Sequence, residues 1–319
     1  MWASFAGMLV FIRIPFSKLE KLKSFSLLNS IMQFSADCCR GFKDEGTAQG
    51  SDHVLPSTGT HYYLAQPQHT TPTQAPAPSV TSHSVLLLTD VFGYTLINSR
   101  LYADALAHRL NKSVIVLDMF KGDPLPPDAV DVEKAGDMSI KWYRRVMTKL
   151  KDVSAFVPWI LRHTPSKAMQ VVMQALHEMQ QVFSALEQLD LIGFCYGGGM
   201  TWKVAEYLYS ENQGRLKCGR AVMCHPAFTS IPKHLKPFLE HKVPLFVVFS
   251  EHDDMLTKKD YERVVEAGTK VDDKMQVKAA WYEGTSHGFA IRGGRMNPVI
   301  KAAREQAFED VVEFLGHDE

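Results

Sequence analysis

From residue 84 onward, short apolar runs alternate with stretches of helical periodicity. Val85 to Thr89, Ser113 to Leu117, Ala221 to Cys224, Leu245 to Phe249 and Val277 to Tyr282 are nearly continuous in apolar character. A strand covered on both faces reads this way, because neither side of its pleat meets water. Between the runs lie helical patterns. Asn98 to Leu110 puts Leu101, Ala105 and Leu106 on one face. Val172, Leu176, Met179, Phe183 and Leu186 recur at i, i+4, i+7, i+11 and i+14, the spacing of an amphipathic helix. Lys258 to Ala267 is helical, and Pro298 to Leu315 forms a last helix with proline in its first turn. Strands alternating with helices predict an α/β fold: a mostly parallel sheet with helices on both faces. No internal repeat interrupts it.

Three stretches depart from this alternation. Residues 1–31 begin with an apolar run to Ile12, followed by Arg13, Lys18, Lys21 and Lys23 with Glu20 as the sole acid. The run is too short to span a membrane, and its charge follows the apolar part instead of preceding it as in a secretory signal. A basic, serine-rich, acid-poor leader of this kind fits either a mitochondrial presequence or a plain extension. We therefore divide the chain into an extension, 1–36, and one α/β domain, 37–319. From Cys38 to about Ser82 the texture is that of turns, with His61 to Ala65 as a short edge strand and a proline-rich surface loop from Pro67 to Pro78. From Val130 to Arg162, aromatic and basic residues including Trp142, Tyr143, Arg144, Arg145, Phe156 and Trp159 suggest a small helical insertion placed over a site, or ordinary helix packing with a solvated basic face.

Composition narrows the partners. The 35 basic and 35 acidic residues balance, which gives no electrostatic ground for nucleic acid or an anionic membrane as partner. The cysteines at 38, 39, 195, 218 and 224 are odd in number and lack zinc spacing, so they read as reduced thiols of a cytoplasmic protein, or a mitochondrial one if residues 1–31 act as a presequence. No HExxH or Rossmann fingerprint is present, and no metal or cofactor is expected. The expected state is a monomer or weak homodimer.

The chemistry centres on Asp190-Leu-Ile-Gly-Phe-Cys195-Tyr-Gly-Gly-Gly199. An apolar run ends in a cysteine boxed by glycines, and an amphipathic pattern follows at once. That is the strand, sharp turn and helix of a nucleophile elbow, with cysteine in place of serine. Gly193 and Gly197 stand where neighbouring backbone passes too close for a side chain. The following helix would direct amide N–H groups and its positive dipole end at the sulfur, favouring thiolate. The alternative is a small buried cysteine in a tight turn.

Downstream groups favour catalysis. Asp253 follows the Leu245 to Phe249 run, in Ser250-Glu-His-Asp-Asp254, and His287 follows the Val277 to Tyr282 run. Reactive residues collect at the carboxyl ends of strands in such sheets, and the order nucleophile, acid, histidine is that of α/β-hydrolases. Cys195 would attack an ester carbonyl, His287 would move the proton, and Asp253 would hold the imidazole, with Asp254 as rival for that place. The oxyanion would meet the backbone N–H groups of Tyr196 and of Val91, in the loop Thr89-Asp90-Val91-Phe92-Gly93. Asp90 would then stand near the sulfur, either managing the thiol's proton or capping a turn.

Gly193-x-Cys195-x-Gly197-Gly198, preceded by Asp90-Val-Phe-Gly93 and followed by Asp253 and His287-Gly-Phe289, resembles the dienelactone hydrolase family. The resemblance runs from about Asp37 to the end, and Cys38 to Gly46 is similar to the start of eukaryotic members. It implies an α/β-hydrolase with a Cys-Asp-His triad that cleaves dienelactones (carboxymethylenebutenolide) or related small esters and lactones. Asp90 stands where bacterial members carry a longer glutamate that restrains the thiol until substrate arrives. By the same resemblance Arg292 is the arginine for a substrate carboxylate; Arg144, Arg145 and Arg162 are candidates for a second. The competing readings are a non-catalytic binding or scaffold protein on the same fold, and a thiol-redox protein using Cys38, Cys39 and Cys195.

Overall fold

The structure is a computed structural model that describes residues 42–67, 80–126, 156–210, 216–271, 275–294 and 296–317. The leader, the Cys38-Cys39 pair, most of the proline-rich loop, and residues 130–155 with Arg144 and Arg145 lie outside the described residues.

One eight-stranded sheet organises the rest: β1 (Ser51–Val54), β2 (His61–Ala65), β3 (His83–Leu88), β4 (Val114–Leu117), β5 (Gln188–Phe194), β6 (Lys217–Cys224), β7 (Leu245–His252) and β8 (Val277–Ser286). Their order is β1-β2-β4-β3-β5-β6-β7-β8. β1 and β2 are antiparallel to their neighbours, and β4, β3, β5, β6, β7 and β8 pair in parallel. This is the α/β-hydrolase type of fold. The helices are α1 (Ile97–Leu110), α2 (Pro165–Val182), α3 (Tyr196–Tyr209), α4 (Lys236–Glu240), α5 (Lys258–Gly268), α6 (Phe289–Arg292) and α7 (Pro298–Gly316). A further helical stretch occupies 156–162.

The unbroken apolar runs divide their side chains by the pleat. Leu86, Leu88, Leu189, Leu191, Met223, Val247 and Phe249 join one core, with residues of α2 and α3 such as Val172, Leu176 and Val204. Val85, Leu87, Ile192, Phe194, Val222, Phe246 and Val248 join the other, with Leu106 of α1 and Val311 and Leu315 of α7. Both faces of the sheet are therefore dry, which is why its central strands carry no polar alternation.

The observed elements differ from the sequence-based expectation in three informative places. His61–Ala65 is not the edge: β1 pairs outside it. Ser51-Asp-His-Val54 is polar and mostly exposed, so it emits no apolar signal. The helix with the i, i+4, i+7 pattern stops at Val182, and Phe183 leaves helical geometry at φ −102°, ψ 85°. Phe183 and Leu186 are nonetheless buried, so the apolar period outlasts the helix because the connecting turn also packs on the core. Finally, β7 and β8 run past their apolar segments into Ser250-Glu-His252 and Glu283 to Ser286. These polar ends pair with each other, Ser250 against Tyr282 and His252 against Ser286, across a register shift. The next residues along are Asp253 and His287.

Candidate active site

Cys195 sits between β5 and α3 with φ 50° and ψ −111°. A non-glycine residue at positive φ is strained, and here the surroundings hold it there. Its N–H donates to Cys224 O at 3.1 Å, and its carbonyl accepts from Gly199 N at 3.0 Å and Ala227 N at 2.8 Å. The glycines do what their spacing predicts. A Cβ on Gly197 would lie 2.2 Å from Leu88 O, and one on Gly193 would lie 2.5 Å from Gly197 O. The helix N-terminus thus lies flush against the end of β3, with Gly197 N bonded to Thr89 O at 2.9 Å. Tyr196 opens the helix, so its N–H has no carbonyl one turn back to bond. The loop carrying Val91 is fixed by Leu125 N donating to Val91 O at 2.9 Å.

His287 is buried, and its Nδ1–H donates to Asp253 Oδ2 at 2.9 Å. Asp253 is the acid that meets the imidazole; Asp254 beside it is exposed. Asp253 also accepts from Ser250 Oγ at 3.0 Å and from Met255 N at 2.9 Å, which fixes both carboxylate oxygens. Burial opposes ionisation of Asp253, yet the His287 charge and hydrogen bond hold its pKa below the ordinary carboxylate value. Burial likewise opposes a charge on His287, but the Asp253 carboxylate and the Cys195 sulfur push its pKa up to about 10. His287 therefore feels both Asp253 and Cys195, although the three are far apart in the chain.

Asp90 is 1% exposed and lies close enough to Cys195 for the sulfur's charge to act on it. Burial raises its pKa, and the Cys195 charge adds to that against the opposing Arg292 guanidinium. Its Oδ1 accepts from Phe92 N at 3.0 Å, the contact of the turn-capping reading. Its Oδ2 accepts from Arg292 Nε at 2.6 Å. Arg292, the expected contact for a substrate carboxylate, is itself buried, with its guanidinium 4.9 Å from the centre of the Phe92 ring. It is placed as the counter-ion of Asp90. Arg162 is exposed and pairs with Asp123, Nε to Oδ2 at 2.9 Å.

The described end of the insertion packs against the elbow. Trp159 meets Phe120 edge-on at 4.9 Å and Tyr196 at 5.8 Å. The Tyr196 hydroxyl donates to His163 O at 2.8 Å. This segment thus leans on the first residue of α3.

Sequence reasoning missed His225. It follows β6 directly, is fully buried, and its ring lies 5.0 Å from the His287 ring at 61°. The rule that flagged Asp253 and His287, a polar residue at the carboxyl end of an apolar run, would have flagged it too. The Asp90–Arg292 pair was missed for a different reason: 202 positions separate its members, and no local pattern links them.

Comparisons with known proteins agree with this architecture. The model of the dienelactone hydrolase family matches residues 67–318. The chain is 27% identical over 237 residues to the hydrolase pyvD of Aspergillus violaceofuscus, covering 74% of this chain and 82% of that protein. It is 24% identical over 241 residues to the human carboxymethylenebutenolidase homolog, covering 75% and 84% respectively. Among solved structures, a dienelactone hydrolase-like promiscuous phosphotriesterase from metagenomic libraries superposes with a TM-score of 0.50 at 14% identity, over 84% of this chain and 97% of that one.

Proposed function

Because the chain belongs to the dienelactone hydrolase family and is a carboxylic ester hydrolase, we propose that it cleaves small esters and lactones through a Cys195-His287-Asp253 triad and a thioester acyl-enzyme. The observation that supports this most is the His287 imidazole, bonded to Asp253 at 2.9 Å and raised toward its charged form by both Asp253 and Cys195. Such a ring stabilises a thiolate at the head of α3, where the helix dipole favours negative charge as well.

The thiolate adds to the acyl carbon, forming the C–S bond while the carbonyl electrons move to oxygen. The backbone N–H groups of Val91 and Tyr196 receive that oxyanion. Collapse breaks the acyl C–O bond, and the leaving alkoxide takes its proton from His287. In a lactone the alcohol stays tethered to the acyl group. Water then attacks the thioester, gives a proton to His287, and releases the acid with the sulfur again as thiolate. The balance is ester plus water to acid plus alcohol, with no other reactant. Asp253 keeps Nδ1 protonated so that Nε2 serves the reaction. Asp90, raised in pKa and anchored by Arg292, offers the thiol's proton a second place to rest.

The test is intact-mass spectrometry during turnover of p-nitrophenyl acetate. One acetyl group on Cys195 at steady state is expected, absent in Cys195→Ala, whose kcat should fall at least about a thousandfold. Undiminished turnover by Cys195→Ala would sink the proposal.

A further inference from the structure

His225 has no part in the chemistry above, yet it occupies the most enclosed position beside it. It is 0% exposed, and neither ring nitrogen meets a hydrogen-bond partner from another residue among the described residues. Buried polar atoms are nearly always paired, so two orphans on one ring call for a cause. Packing does not supply one. The ring lies among Phe194 at 6.1 Å, Phe289 at 6.0 Å and His287 at 5.0 Å, where a phenyl group would fill similar space without stranding two nitrogens.

The backbone around it is fixed. The pairing of Phe194 with Cys224 sets His225 beside Cys195 on the adjacent strand end. Its φ is 36°, a left-handed value, and its N–H donates to Val248 O at 2.8 Å. The charged groups acting on it come from three elements: His287 after β8, Asp253 after β7, and Arg292 in α6. Burial comes first and, with the His287 and Arg292 cations, presses its pKa well below the ordinary histidine value. His225 is thus a neutral, polar ring held against one that is drawn toward its charged form.

We propose that His225 is a positioning residue for His287: its buried neutral imidazole, set edge-to-face on the catalytic ring, holds that ring on Asp253 and favours the imidazolium that supports the Cys195 thiolate. Away from water, a ring dipole whose negative end faces a cation stabilises that cation. This inference rests on the triad reading.

The decisive measurement is the pH dependence of Cys195 alkylation by iodoacetamide, read by mass, alongside kcat and KM for p-nitrophenyl acetate. In His225→Phe the alkylation midpoint should move up by about one pH unit, equivalent to a tenfold loss of thiolate at a fixed pH below the midpoint. kcat should fall with KM little changed. His225→Gln, which restores a polar group, should recover part of the shift. If His225→Phe folds and shows the wild-type midpoint and kcat, the ring is mere filling and the proposal fails. Nitrogen NMR of histidine-labelled wild type needs no variant: His225 should stay neutral from pH 5 to 9 by roughly the burial argument above, and a protonated His225 in that range overturns the idea. Activity retained in Cys195→Ala would instead remove the triad beneath it, a result distinct from either of these.

Discussion

At Asp253 two hydrogen-bond donors converge on one carboxylate oxygen and a backbone N–H holds the other. Asp253→Asn keeps the shape but can present its amide to His287 Nδ1, inverting the tautomer; kcat should fall by about 10⁴, measured with the same acetate ester. The pair also predicts a pH dependence of stability. The folded pKa of His287, about 10, lies above its ordinary 6.5, so its contribution is whole below 6.5 and is lost as pH rises through about 10. Asp253 has the opposite sign. Its pKa is lowered from 3.8, so its contribution is present above that value and is lost as acid carries the pH down through the lowered one. The difference in unfolding free energy between wild type and Asp253→Asn should therefore be widest between about pH 4 and 6.5 and narrow on both sides. Urea titrations across pH check this, and a difference constant from pH 3 to 10, roughly the span of the two titrations, would contradict it.

Two contacts between elements carry the elbow. The head of α3 lies so close to the end of β3 that a methyl group at 197 would meet the Leu88 carbonyl carbon at 2.4 Å as well as its oxygen. Because the obstacle is backbone in a central strand, relaxation must move a whole element. Gly197→Ala should cost about 3 kcal/mol in chemical denaturation and displace the thiol enough to lower kcat. The other contact ties α6 to the loop after β3 through Asp90 and Arg292, both nearly without exposure. Asp90→Asn removes the anion facing a buried guanidinium and should cost about 3–5 kcal/mol, whereas Asp90→Asn with Arg292→Met should recover much of it. Equal stability of the single and double variants would show that the stranded guanidinium does not set the cost.

Across the whole molecule the sheet carries the proposed site at one end and a buried ion network at the other. Asp190, near the start of β5, is fully buried, lies 2.7 Å from His83 Nε2, and accepts from Lys112 Nζ at 3.2 Å and Arg220 N at 2.8 Å. Lys112 also donates to Leu315 O at 3.0 Å, fastening the end of α7 to the sheet. Asp190→Ala should cost about 3–5 kcal/mol while leaving kcat/KM near wild type, since the opposite end of the strand carries Cys195. A large loss of kcat/KM in a variant still folded at the assay temperature would contradict that separation. What the chain determined alone was what burial and local turns dictate: apolar runs for strands covered on both faces, the 3.6 period for helices, and glycines where Cys195 must turn at positive φ. A polar edge strand such as Ser51–Val54 and the polar arms of β7 and β8 leave no such trace, because their pairing depends on a neighbour and not on burial. Only the tertiary structure set Arg292 against Asp90 and laid His225 on His287. Those choices follow from strand register, in which Phe194 meets Cys224 and His252 meets Ser286. Register is a relation between distant segments, fixed when their side chains pack together, and no single stretch of sequence contains it.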